Sequence, residues 1–190
     1  MNDLKYKGTP QLETERLILR RLRSEDENDI FEYASDEEVS RFVFWNTHRS
    51  IEDSRNFISF TLGRYDRDEA GEWGIVLKEE DKLIGTIGFT GFDARSRRAE
   101  IGYVLSRKYW GQGIMPEALN RLLEFAFTEM DLNRIECSYV SPNEKSGRVM
   151  QKVGMSYEGT AREKVFFKGR FWDLKQYAIL KSDWVKKEKP

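Results

Sequence analysis

Apolar positions along the chain switch between strand-like runs and helical spacing. Leu17, Ile18, Leu19 and Leu22 lie in an apolar stretch that predicts a strand. Ser24, with Glu27 three residues later, has the spacing of a capping box, and the helix that follows would present Ile30, Phe31 and Ala34 on one face. A second helix is predicted from Ile51 to about Tyr65, capped by Ser50, with Phe57, Ile58 and Leu62 inward. Strands follow at Trp73 to Leu77 and Leu83 to Phe92, joined by a Glu79-Glu80-Asp81 turn, and then at Glu100 to Leu105. Gly85, Gly88 and Gly91 weaken the second of these and point to bulges or close backbone approaches. Met115, Ala118, Leu119, Leu122, Ala126 and Met130 recur on one helical face, which predicts an amphipathic helix from Met115 to Met130. The order closes with a strand from Arg134 to Val140, a short helix from Glu144 to Val153 ended by Gly154, and a hairpin from Lys164 to Leu180 turning at Lys168-Gly169. Mixed helices and strands in this order indicate α/β (α+β), not a sandwich or a bundle.

A chain of 190 residues with no repeat, low-complexity tract or Gly/Ser/Pro-rich linker reads as a single domain over residues 1–190. Basic and acidic residues balance, 32 against 33, so no global positive field exists to gather nucleic acid. Arg95, Arg97, Arg98, Arg107 and Lys108 cluster in sequence and read either as a local basic patch or as a solvated loop face. With Cys137 as the sole cysteine no intrachain disulfide can form, which fits a reducing compartment. The first ten residues lack the apolar core of a signal peptide, and no apolar run approaches the ~20 residues that span a bilayer. The expected location is the cytoplasm, without membrane attachment.

The chemistry is concentrated between Glu100 and Leu119: a strand, a glycine turn and an amphipathic helix. Gly111 and Gly113 stand two apart at the helix start, where unpartnered N–H groups and the positive end of the helix dipole favour an anion. Pro116 fits the first helical turn, where its missing N–H breaks no bond. A nucleotide-triphosphate loop would need Gly-Lys-Ser or Gly-Lys-Thr, and the glycines are followed by Ile114 and Met115. A dinucleotide fold would need a third glycine where Pro116 stands. A Gly-x-Gly pair alone is equally a tight strand-to-helix turn.

Lys108-Tyr109-Trp110-Gly111-Gln112-Gly113 resembles the acetyl-CoA motif of the GNAT superfamily, Gln/Arg-x-x-Gly-x-Gly/Ala, with lysine departing from the first position. Leu12 through Arg20, Ala99 through Tyr103, Asn143 through Ser146 and Lys152 through Met155 resemble the RimJ/RimL subgroup of ribosomal-protein N-acetyltransferases, so the similarity spans about Leu12 to Trp184. The resemblance implies a mixed, twisted sheet of about seven strands with helices on both faces, splayed at two central parallel strands, here Glu100 to Leu105 and Arg134 to Val140. It implies acetyl-CoA as cosubstrate, and the single histidine and single cysteine give a metal site little support, so no metal is expected. The pantetheine arm would bond to the Val104 and Leu105 backbone, the diphosphate would sit on Lys108, Tyr109, Trp110, Gly111, Gln112, Gly113, Ile114 and Met115, and the thioester would lie near Gly102 and Tyr103. Asn143 is a further candidate, for the pantetheine amide.

Two residues are candidates for catalysis. Strand alternation sets Glu100, Gly102 and Val104 on one face and apolar Ile101, Tyr103 and Leu105 on the other, so Glu100 would face the cleft and take the amine proton through water, with Gly102 leaving room for the thioester. The alternative is a salt bridge to Arg97 or Arg98. Many GNAT enzymes carry a tyrosine acid seven residues after the asparagine, where this chain has Met150. RimL-like enzymes are thought to use a serine, which matches Ser146 as the group that holds or protonates the leaving thiolate. Its structural alternative is an ordinary helix start, with Asn143 as N-cap and Ser146 as the residue whose N–H it accepts. Tyr103, Tyr109, Trp110 and Cys137 read as packing residues, and His48 as an exposed loop residue or a lining of the acceptor pocket beside Phe44 and Trp45.

Terminal α-amines have a pKa of about 7.7–8.0 against about 10.4 for lysine, so near neutral pH far more of an α-amine is already nucleophilic. This favours a protein N-terminus as acceptor, with a polyamine, an antibiotic or another small amine as alternative. A non-catalytic acetyl-CoA-binding module stays open because of Met150, and the sequence leaves a homodimer open as well.

Overall fold

The structure, a computed structural model, describes residues 8–188; the N-terminal reading above falls largely on residues 1–7, outside that range. The apolar runs pair into one eight-stranded sheet of order β1-β2-β3-β4-β5-β6-β8-β7. Its strands are β1 (Leu12–Glu13), β2 (Leu17–Arg20), β3 (Glu72–Leu77), β4 (Lys82–Asp93), β5 (Arg98–Leu105), β6 (Arg134–Val140), β7 (Ser156–Phe167) and β8 (Arg170–Leu180). The sheet has one strand more than the expected seven, because β1 is a two-residue strand paired to β2. All pairings are antiparallel except β5 with β6.

Helices cover both faces. Leu19, Trp73, Ile75, Ile87, Ile101 and Ile135 pack with Ala118, Leu119, Leu122 and Ala126 of α4 (Ile114–Thr128) in the larger core. Leu22, Val76 and Leu83 face the other way, onto Ile30, Tyr33 and Ala34 of α1 (Glu27–Ala34) and Ile58 of α3 (Ile51–Asp66). Neighbours such as Ile75 and Val76 enter opposite cores, as the two-residue period of a strand requires. Both layers bury their apolar sides, and cutting a fully buried Leu119 back to alanine would cost about 2–5 kcal/mol.

The glycines of β4 act as their sequence suggested. A Cβ on Gly85 would stand 2.3 Å from the Val104 carbonyl oxygen and one on Gly88 2.6 Å from Glu72 Cα, so neighbouring strands run against bare backbone. A bulge sits between Phe89 and Gly91. Lys168 and Gly169, at φ +49° and +76°, make the left-handed two-residue turn of the final hairpin. Its first strand begins at Ser156, eight residues before the expected Lys164.

Local signals misled in two places. The expected box at Ser24 does not form, because Asp26 accepts from the Arg23 N–H at 2.7 Å and from the Arg20 guanidinium; residues 24–26 are a 3₁₀ turn and α1 starts at Glu27. The short α2 (Glu37–Ser40) and the polar α6 (Lys181–Glu188) had no apolar periodicity to announce them. Between β6 and β7, α5 (Glu144–Lys152) ends at Gly154, with φ +85° and Met155 N–H on the Met150 carbonyl.

Candidate active site

The parallel pairing of β5 and β6 lasts for three residues, ending at Glu100 opposite Glu136. Beyond it, β5 runs on to Leu105 bonded only to β4, while β6 runs on to Val140 bonded to β8. A wedge therefore opens from Ile101 onward and leaves one edge of β5 without a strand partner. The Tyr103 hydroxyl crosses it to donate to the Ser146 carbonyl at 3.0 Å, and burial raises its pKa well above that of an ordinary phenol.

A groove of about 690 Å³ follows that edge. Val104, Leu105, Tyr109, Trp110, Gly111, Gly113, Ile114, Met115, Asn143 and Ser146 line it. Gly111 and Gly113 adopt φ of +80° and +77°, and a Cβ on Gly111 would meet nothing within 4 Å. The turn thus needs glycine for its backbone and leaves open space before the first N–H groups of α4, the arrangement that holds an anion.

Not every residue of the motif faces the groove. The ammonium of Lys108 is 2.5 Å from Glu32, and Lys108 and Gln112 line a separate cavity of about 460 Å³ behind the turn, with Arg16 and Glu80. Tyr109 donates to Glu80 at 2.7 Å, and burial together with that carboxylate pushes its phenol up to about 12. Trp110 donates its indole N–H to the Leu105 carbonyl at 2.8 Å, so that carbonyl already has a partner of its own. Lys145 lies 4.1 Å above the Trp110 ring. The first turn of α4 carries Glu117, an acid beside a proposed anion site. Thr14 at 2.5 Å and the Arg16 guanidinium at 2.7 Å bind its carboxylate, while Arg16 also donates to the Gln112 carbonyl at 3.1 Å.

A second cavity of about 460 Å³ opens on the α1 side of the wedge. Glu100, Gly102 and Val104 line it, and so do Ile101 and Tyr103, which alternation had placed on the opposite face. Neither suggested salt bridge to Glu100 exists: Arg97 pairs with Asp131, and Arg98 with Asp93 and Glu136. Glu100 accepts from the Ser138 hydroxyl at 2.9 Å instead, from two residues beyond its own rung partner Glu136 on β6. The space above Gly102 is filled by Thr90, whose methyl would stand 2.8 Å from a Cβ there. Gly102 thus makes room for Thr90 rather than for a thioester.

The two cavities meet at Phe42, Val43, Tyr103, Val104, Asn143 and Ser146, which line both. Ser146 N–H bonds to the Asn143 carbonyl at 3.0 Å, but the Asn143 side chain does not cap the helix. Its amide donates to the Ser146 hydroxyl oxygen at 3.0 Å. Met150 is buried and Cys137 is buried mid-strand, its thiol pushed far up by burial and by the nearby Glu100 charge.

His48 is not an exposed loop residue. It lines the second cavity with Phe44 and Trp45, its Nδ1 lies 2.9 Å from the Ser54 hydroxyl, and burial lowers its pKa toward the neutral ring. Four members of the basic cluster are held in local pairs, Arg97 on Asp131, Arg98 on Asp93 and Glu136, Arg107 on Asp36 and Lys108 on Glu32. The sequence reading missed Glu72 in the second cavity and a basic face on the groove made by Lys145, Arg148 and Lys152. Their spacing of three and then four residues on one helix was a readable signal; Glu72 had none. Among the described residues no group of His, Cys, Asp or Glu could hold a metal ion.

Residues 16–156 match the family model described as the acetyltransferase (GNAT) domain. The chain is 34% identical over 174 residues to the uncharacterized N-acetyltransferase p20 of Bacillus licheniformis, covering 92% of this chain and 98% of that protein. More distant relatives are the spermidine N(1)-acetyltransferase of Vibrio cholerae, 24% identical over 90% of this chain and 96% of that one, and the ribosomal protein uS5-alanine N-acetyltransferase of Escherichia coli, 27% identical over 60% and 59%. The crystal structure of a GNAT-family acetyltransferase from Bacillus anthracis superposes with a TM-score of 0.82 at 31% identity, over 91% of this chain and 99% of that one. On the family match, the fold and the wedge between β5 and β6, this chain belongs to the GNAT acetyltransferase family.

Proposed function

We propose that the chain, acting as a single domain, acetylates a primary amine by direct attack on acetyl-CoA in a ternary complex. The observation that carries this reading is the meeting of the groove and the second cavity at Asn143 and Ser146. The diphosphate rests on the N–H groups around Gly111, Gly113 and the start of α4, flanked by Lys145, Arg148 and Lys152. The pantetheine arm adds to the free edge of β5 along Val104 and brings the thioester to the wedge. The amine arrives from the second cavity, and holding both reactants side by side supplies much of the rate.

Glu100 first draws a proton from the ammonium through a water, and the freed nitrogen then attacks the thioester carbon. As the tetrahedral intermediate collapses, the C–S bond breaks, Ser146 gives its proton to the leaving sulfur, and the surplus proton of the nitrogen passes through water to the serine oxygen. Asn143 supports that role, since its amide occupies an acceptor site of the Ser146 oxygen and leaves the hydroxyl proton to be donated.

Two acceptor readings have support. A protein N-terminal α-amine, as in the RimJ/RimL type, is favoured by its low pKa and by the uS5-alanine relative; roughly 30% of such an amine is neutral near pH 7.4, against roughly 0.1% of a lysine side chain. A small polyamine is favoured by the two carboxylates, Glu72 and Glu100, inside the second cavity and by the spermidine relative. The single cysteine and the lack of any described helix long and apolar enough to cross a membrane agree with a cytoplasmic enzyme. A thiol-release assay over peptides, diamines and polyamines tests the reading. Turnover that falls in Glu100→Gln and Ser146→Ala supports it, and acetyl-CoA binding without turnover of any amine replaces it with a binding module.

A further inference from the structure

The proposed chemistry uses one of the two carboxylates in the second cavity. The other is Glu72. Strand register sets Glu72 opposite Gly88, and Gly88 opposite Gly102. The Glu72 side chain folds over Gly88, where a Cβ would come within 3.0 Å of its Cγ. Gly88 and Gly102 put no side chain of their own between Glu72 and the free edge of β5, a gap of two strand spacings, about 10 Å, which Thr90 covers in part over Gly102.

The surroundings of Glu72 suit a cation that the protein itself does not supply. Burial raises the pKa of its carboxyl, against the opposing effect of the buried Thr86 hydroxyl beside it. No Lys, Arg or His of the described residues forms an ion pair with it; Arg64, whose charge it feels, lies 3.9 Å from Glu69. The rings of Tyr33, Trp45 and Phe57 line the same cavity. An enclosed carboxylate among aromatic faces attracts an ammonium both by charge and by the ring quadrupoles.

We propose that Glu72 is a specificity-determining residue that receives a second ammonium of the acceptor, a few methylenes from the amine being acetylated, so that the acceptor is a short aliphatic diamine or the end of a polyamine. This selects the second acceptor reading and rests on the second cavity being the acceptor site.

The test compares butylamine with 1,4-diaminobutane, which differ by the second amine. Calorimetry on the protein loaded with coenzyme A should give at least tenfold tighter binding of the diamine. Glu72→Gln should abolish most of that preference while leaving butylamine binding unchanged, and Glu72→Asp should keep part of it. Thermal melts matching wild type confirm that the variants are folded, and Thr86→Val, which removes only the supporting hydroxyl, should weaken the preference in the same direction. Equal affinities in wild type, or a preference that survives Glu72→Gln, overturn the proposal. Thiol release on the same pair separates the two layers: turnover of both amines without preference keeps acetyl transfer and removes the Glu72 site, whereas Glu72-dependent diamine binding without turnover keeps the site and removes the transfer reading.

Discussion

The side-chain amide of Asn143 donates to the hydroxyl oxygen of Ser146 at 3.0 Å, at the point where the groove and the second cavity join. A hydroxyl held as acceptor keeps its own proton for another partner. Ser146→Ala is expected to lower kcat about 10²-fold with little change in the KM for acetyl-CoA, as loss of a proton donor to the leaving sulfur requires. Asn143→Ala should lose less. Steady-state thiol release checks both, and an unchanged kcat in Ser146→Ala would assign the serine to helix geometry alone.

Glu100 receives the Ser138 hydroxyl and no cation among the described residues, which leaves its charge for the acceptor. Glu100→Gln is expected to lower kcat/KM about 10²-fold near pH 7. The deficit should shrink as pH rises past the pKa of the amine, because free amine no longer needs the base. A pH–rate profile of both proteins measures this, and a deficit equal at every pH would make Glu100 a positioning group.

At Gly111 the φ of +80° makes any side chain strained by about 1–2 kcal/mol, and the open space before the turn is where the diphosphate is expected. Gly111→Val should therefore weaken coenzyme A at least tenfold. Calorimetry giving wild-type affinity would move the phosphate site elsewhere.

Burial alone would raise the Glu117 pKa, but the bonds from Thr14 and Arg16 outweigh it and hold the carboxyl below its ordinary value. A carboxyl lowered on folding stabilises the protein above its unfolded pKa of about 4.3, and that contribution is lost as pH falls through the folded value. Glu117→Gln should cost about 1–2 kcal/mol at pH 7, with the gap to wild type closing toward pH 3. Denaturant titrations at the two pH values test this; a gap that stays constant would mean the ion pair contributes nothing specific.

Elements with a long apolar signature were legible in the sequence. Met115 to Met130 and Arg134 to Val140 carry enough buried positions to fix period and face, and α4 and β6 follow them closely. The glycine turn was legible because backbone conformation constrains residue type directly. Competition between polar partners was not: Asp26 displaces the box expected at Ser24, since a carboxylate bound to Arg20 is the stronger acceptor. Contacts made by register were equally hidden. Glu72 reaches the second cavity because β3, β4 and β5 align it with Gly88 and Gly102, which no local pattern records. Between the two readings left open for His48, the pocket lining holds, because its loop is folded against α3 through Ser54.

The central claim is that acetyl-CoA lies along the free edge of β5 with its diphosphate at the start of α4. A crystal structure with coenzyme A tests it most directly. Density for the diphosphate within hydrogen-bonding reach of the backbone N–H groups from Gly111 to Met115, and for pantetheine beside Val104 with its sulfur near Ser146, is the predicted result. Coenzyme A bound elsewhere, or bound there with its sulfur away from Ser146 and Glu100, would contradict it.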